Sequence, residues 1–213
     1  LNDLAQYRLI ERVQPGRYKL GLRLLELGNL VKDRLSVREI AIEHMRALHN
    51  ATGQTINLSV RQGDEIIYVE RVYNERSGMQ VIRAIGGRAP LHLTSVGKLF
   101  LSVDEPKNIH SYAIRTGLVA QTPNSITQLD KLERELAHIR QLGLSRDNEE
   151  LELGVCCIAA GIQDDTGKLV AGLSVSAPAN RLRDEWGEAL SACALRVSEA
   201  LGFRSPTKAS LRY

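Results

Sequence analysis

The chain predicts an α+β fold, an antiparallel sheet with flanking helices. Two pairs of strand-like segments fold back around tight turns: Ile56 to Val60 with Ile66 to Tyr73 about Gly63-Asp64, and Val155 to Gln163 with Lys168 to Ser176 about Asp164 to Gly167. Helical patterns stand before, between and after these pairs instead of alternating with single strands, so hairpins rather than parallel crossovers build the sheet. No segment repeats at a fixed period or is low in complexity.

With 213 residues and 43% hydrophobic content, the chain can build one main core and a small appendage. No apolar run reaches the roughly 18 to 20 residues of a membrane helix and no signal pattern opens the chain, so a cytoplasmic protein without a membrane partner is expected. Cys156, Cys157 and Cys193 have neither metal-ligand spacing nor an even count, which suits a reducing compartment and predicts no metal site or cofactor. The net charge is +3, and all of that excess lies in the first 23 residues, where Arg8, Arg12, Arg17, Lys19 and Arg23 outnumber Asp3 and Glu11.

Leu1 to Tyr7 has helical composition without a cap and reads as the end of a clipped element. Leu9 to Val13 and Arg17 to Leu20 flank Pro15-Gly16 as a basic hairpin, and a helix followed by such a hairpin resembles the last part of a winged helix-turn-helix. In that arrangement the hairpin rests on phosphates, which makes Arg8, Arg12, Arg17 and Lys19 the candidate DNA contacts. Leu20 to Val31 reads as a helix with leucines around most of its circumference, expected to pack as a linker against its copy in a second subunit; burial within one subunit is the alternative.

Ser36 and Glu39 form a capping box for a helix to Asn50, with Val37, Ile40, Ala41, His44, Met45 and Leu48 on one face and Gly53 past its end. Met79 to Ile85 reads as a third strand, Leu91 to Leu101 and Pro106 to Arg115 as helices, and Gly117 to Ser125 as a loop. Leu129, Leu132, Leu136 and Ile139 keep a helical period in a helix opened by Thr127 and ended by Gly143. Asn180 is the expected cap of a terminal helix striped by Leu182, Trp186, Leu190, Cys193, Val197 and Leu201.

Chemistry concentrates in two places. Gly87 to Lys98 delivers a strand end into a helix start, where unpaired N–H groups favour a small anion. Ser174 and Ser176, two apart in a strand, put both hydroxyls on the side opposite Leu173 and Val175; that row faces either solvent or a polar ligand.

The motifs Leu91-His92-Leu93-Thr94-Ser95-Val96-Gly97-Lys98, Thr122 to Ile126, Asp147-Asn148-Glu149-Glu150, Gly154 to Ala159 and Leu173 to Pro178 resemble the effector-binding domain of IclR family bacterial transcription regulators. The likeness runs from Tyr18 to near Gly202. It implies a GAF/PAS-like domain over 35–204, preceded by a linker helix over 20–34 and a remnant of a winged helix-turn-helix domain over 1–19, with a tail over 205–213. It also implies a homodimer or homotetramer, operator DNA as partner, and a small-molecule carboxylate as effector. The effector contacts it implies are the N–H groups of Ser95 and Val96, the side chains of Asp147, Cys157, Ser174 and Ser176, and walls from Gly78, Val81, Ala89 and Val155. Gly78 and Ala89 are small where relatives carry larger residues, which points to a roomier pocket.

Two other classes compete with a ligand-responsive transcription regulator, whether repressor or activator. A cysteine-dependent enzyme acting on a small carboxylate would need Cys157 as nucleophile and His92 as base, in contact; a non-sensing dimerisation module would have no reason to desolvate polar side chains. Asp147 fits an effector contact or a turn cap, Lys98 an anion partner or a solvent-facing residue, and His92 an interior residue with its hydrogen bonds satisfied.

Overall fold

The computed structural model describes residues 1–32, 37–74 and 85–204. The chain forms two compact units that part between Glu39 and Ile40. In the first, α1 (Asn2–Gln6) leads through Arg8, at φ +58°, into an antiparallel hairpin of β1 (Ile10–Gln14) and β2 (Arg17–Leu20). Gly16 turns that hairpin at φ +77°. Helix α2 (Arg23–Lys32) follows, with Leu22 and Leu25 largely exposed.

The second unit takes in all but the first turn of α3 (Val37–Thr52), which buries Ala41, Met45 and Leu48 and ends where the Gly53 N–H donates to the His49 carbonyl. Ser36, the expected cap, and residues 79–84 of the expected third strand lie outside the described residues; Ile85 sits in an exposed turn. Among the described residues, six strands form one wholly antiparallel sheet: β3 (Thr55–Gln62), β4 (Glu65–Val72), β5 (Arg88–Pro90), β6 (Leu144–Asn148), β7 (Val155–Gln163) and β8 (Leu169–Pro178), in the spatial order β5-β4-β3-β8-β7-β6. The expected α+β class is what the structure has.

Each face of this sheet takes a helix. Helix α7 (Trp186–Ala200) lies over Ile158 and Leu144, close enough that a Cβ at Gly187 would stand 3.0–3.1 Å from both side chains. The Cys193 thiol ties α7 to α3 at 3.5 Å from the His44 carbonyl. The opposite face carries α4 (Ser95–Ser102), whose Val96 sits on Gly172 with its Cγ1 2.6 Å from where a Cβ would be. Helices α5 (Pro106–Thr116) and α6 (Leu129–Leu142) add Ile109, Tyr112, Leu132, Leu136 and Ile139 to the core around α4.

Three sequence expectations change, and one strand was not anticipated. The helix expected over Leu91 to Leu101 divides into a 3-10 turn (Leu91–Leu93) and α4, because Thr94 adopts an extended backbone and caps the second piece. Helix α6 starts at Leu129 behind Gln128, not at Thr127. Leu144–Asn148, with no strand pattern of its own, is the edge strand β6, held by its pairing to β7. Asn180 does not cap α7: the Arg181 and Leu182 N–H groups close a turn on the Pro178 carbonyl, and the helix begins at Trp186.

Candidate functional site

Strand register decides which side chains meet. Asn57 pairs with Arg71 on one side and Ser174 on the other, and Ser174 with Ala159. One pair along, Thr55, Ser176, Cys157 and Asp147 form a second row. Paired residues share a face, and Gly172, two residues from Ser174, places both rows on the side covered by α4.

The rows are polar and nonetheless buried. Ser174 is 4% exposed and Ser176 6%, so the solvent-facing alternative for the serines fails. The Asn57 amide donates to Ser176 Oγ at 3.0 Å, and Ser176 Oγ lies 3.1 Å from Cys157 Sγ. Arg71 Nε donates to Asn57 Oδ1 at 2.6 Å, and its guanidinium stacks 5.4 Å above the Tyr68 ring. The hydroxyls of Thr55, Ser59 and Ser145, on the same face, have no hydrogen-bond partner among the described residues. An unpaired buried hydroxyl costs about 1–3 kcal/mol, so this face carries polar groups at the expense of stability.

Helix α4 closes the site from above. Thr94 Oγ1 accepts the Gly97 N–H at 3.0 Å and the Thr94 carbonyl accepts that of Lys98 at 2.9 Å, which leaves the N–H groups of Ser95 and Val96 as the free donors of the first turn. A side chain at position 97 would collide with the Leu91 carbonyl, so glycine there lets the turn come close. Ala89 is buried in the same core cluster as Val96, and Val155 lies on the Cys157 face at the start of β7. Gly78 and Val81 lie outside the described residues.

The titratable groups are arranged unevenly. Asp147 is buried at the end of β6; burial, helped by the nearby Glu150 carboxylate, pushes its pKa up to about 7 against the pull of the Glu150 N–H. That N–H donates to Asp147 Oδ1 at 2.8 Å, so Asp147 holds a turn as well as facing the polar rows. Lys98 is wholly buried and donates to both Glu150 oxygens (2.6 and 2.9 Å) and to Glu135 (3.2 Å), so it faces neither solvent nor an open site. Burial raises the Glu150 pKa despite that ammonium.

Cys157 does not meet the requirements of a nucleophile. Burial drives its thiol pKa upward, and it contacts Ser176 rather than a histidine. His92 is engaged elsewhere: Nδ1 lies 2.7 Å from the Tyr112 hydroxyl and Nε2 3.2 Å from the Val119 carbonyl, and burial lowers its pKa. These partners suit a neutral ring that donates from Nε2 and accepts at Nδ1. The serines, Cys157 and Asp147 thus share one face of the sheet, on which α4 packs through Val96 at Gly172, whereas His92 and Lys98 serve structure. Sequence reasoning missed Asn57 and Arg71; their signal was cross-strand register with Ser174, which no local pattern reveals.

In the N-terminal unit, Arg8, Arg12 and Arg17 are exposed and Lys19 pairs with Glu11 at 2.7 Å. No helix among the described residues is long and apolar enough to cross a membrane, and no group of three or more His, Cys, Asp or Glu among them could hold a metal ion.

Comparison with known proteins places this geometry. The family model described as "Bacterial transcriptional regulator IclR C-terminal" matches residues 30–199. The DNA-binding transcriptional repressor YiaJ of Escherichia coli K12 is 34% identical over 95% of this chain and 78% of its own length. The Agobacterium tumefaciens repressor BlcR superposes with a TM-score of 0.84 at 29% identity, covering 96% of this chain and 82% of that one. The inducer-binding domain of the PobR transcription factor from Acinetobacter, solved with 3-hydroxybenzoic acid, superposes at 0.69 and 27% identity over 75% of this chain and 96% of its own.

Proposed function

Because the chain belongs to the IclR family of bacterial transcription regulators, we propose that it is a cytoplasmic repressor whose 35–204 domain binds a small organic acid and thereby alters operator binding by a winged helix-turn-helix. The observation that carries this reading is the buried polar face of the sheet. Ser174, Ser176 and Asn57 lie there with three hydroxyls that have no partner among the described residues, on the face that α4 covers, an arrangement suited to accepting oxygens. The acid bound by the PobR domain supports the same ligand class.

The effector contacts are Ser95, Val96, Asp147, Cys157, Ser174 and Ser176, walled by Ala89 and Val155, with Gly78 and Val81 completing the wall by resemblance. Arg8, Arg12, Arg17 and Lys19, in the winged-helix remnant over 1–19, meet phosphates. Helix α2, in the 20–34 linker, packs its exposed leucines against a second copy in a homodimer or homotetramer. Effector binding favours one arrangement of subunits over another, and a coupling of about 1–3 kcal/mol changes operator occupancy several-fold.

A thermal-melting screen against short keto acids, hydroxy acids and benzoates, repeated with the Ser174→Ala/Ser176→Ala variant, tests the reading. A binding acid raises the melting temperature of the wild type and not of the variant. Equal shifts in both would place binding elsewhere.

A further inference from the structure

Among the described residues, the Arg71 guanidinium beside the proposed effector site has no counter-ion. Its side chain bonds Asn57 Oδ1 through Nε and covers Tyr68, and no carboxylate pairs with it among the described residues. Burial lowers its pKa, so it has given up part of its hydration without gaining an ion pair among the described residues. Arginine in such a setting is expensive unless an anion completes it. Elsewhere in the same domain the arginines Arg61 and Arg115 have aspartates in two-point contact, Asp104 and Asp64.

The Arg71 hydrogen-bond chain runs through Asn57 to Ser176 and Cys157, within the polar rows described above. Arg71 and Ser174 flank Asn57 on adjacent strands, so their backbones lie about 9.5 Å apart, two strand spacings. Thr55, with an unpartnered hydroxyl 1% exposed, lies on the same face two residues from Asn57.

We infer that Arg71 forms a second anion subsite, and that the effector is an acid with two anionic ends separated by several carbons. One end meets the Ser95 and Val96 N–H groups and Ser174; the other meets the guanidinium, whose planar pair of N–H donors matches a carboxylate. This rests on the proposal that the polar face binds an organic acid. Its own content is the ligand's second charge and the residue that reads it.

Isothermal titration of the full chain with matched pairs of unbranched acids from four to eight carbons, monocarboxylate against α,ω-dicarboxylate, tests the inference. In the wild type at least one dicarboxylate binds tenfold or more tighter than the monocarboxylate of equal length. Arg71→Gln abolishes that advantage and leaves the monocarboxylate affinity within about twofold, whereas Arg71→Lys keeps part of it. Equal affinity for both members of every pair in the wild type, or an advantage that survives in Arg71→Gln, overturns the second subsite while leaving a single-carboxylate sensor intact. Binding of no acid of either series overturns the subsite, and the acid-sensor reading is then decided separately by the keto acids, hydroxy acids and benzoates of the melting screen. The unliganded melting temperature of each variant reports its folding, and the wild-type comparison stands without the variants.

Discussion

The face of the sheet beneath α7 carries Ile56, Leu58, Ile158, Leu173 and Val175, while the same strands turn Asn57, Ser59, Cys157, Ser174 and Ser176 toward α4. Both faces are buried, yet only one is built for stability. Strand alternation separates the two tasks at single-residue resolution: neighbours such as Leu173 and Ser174 share a backbone environment and differ only in the face they serve. A substitution on the apolar face should therefore be read in folding, and one on the polar face in ligand affinity.

The largest expected departure from that rule is Lys98→Ala on α4. It leaves Glu150 buried without its ammonium, and breaking such a pair costs about 3–5 kcal/mol; urea unfolding would measure it, and a change under 1 kcal/mol would remove Lys98 from the stability account. Next, Leu173→Ala on the apolar face should cost about 2–5 kcal/mol, lower the urea midpoint, and leave affinity for any bound acid nearly unchanged at temperatures where the variant is folded.

A third expectation concerns Asp147. Its folded pKa of about 7 lies above the ordinary carboxyl value of about 3.9, so the folded state holds the proton more firmly than the unfolded chain. That contribution is complete below about pH 4 and lost as pH rises through about 7. Asp147→Asn should gain melting temperature relative to wild type between pH 5 and pH 8, and a parallel pair of pH profiles would contradict the burial argument. Smallest in stability is Ser174→Ala, expected within about 1 kcal/mol of wild type or slightly favourable, because it removes a hydroxyl from a buried face. Its effect should appear as weakened acid binding.

Much of the fold was legible because periodicity and turn residues agreed. The hairpins about residues 63–64 and 164–167, the long helices α3 and α6, and the glycine stops at Gly53 and Gly143 follow from local pattern and backbone freedom. Strand β6 was not, since Leu-Ser-Arg-Asp-Asn has neither alternation nor β-branched residues and becomes a strand only through β7. The serine pair and the α4 start were readable from spacing. Arg71 and Asn57 were not: Asn57 alternates with Leu58 and Val60 as in a strand facing solvent, though it is buried, and Arg71 meets it only through the pairing of β3 with β4. Lys98 was undecided for the same reason: its partners Glu135 and Glu150 lie 37 and 52 residues away.

Hydrogen–deuterium exchange with and without an acid that raises the melting temperature would set the two faces against each other most directly. The account predicts new protection at residues 94–98, at the paired strands around Asn57 and Ser174, and at 147–150, with little change in α7. Protection confined instead to the separate surface cleft of about 1160 Å³ lined by Arg61, Asp104, Arg140 and Lys168 would contradict the assignment of the polar face as the ligand site.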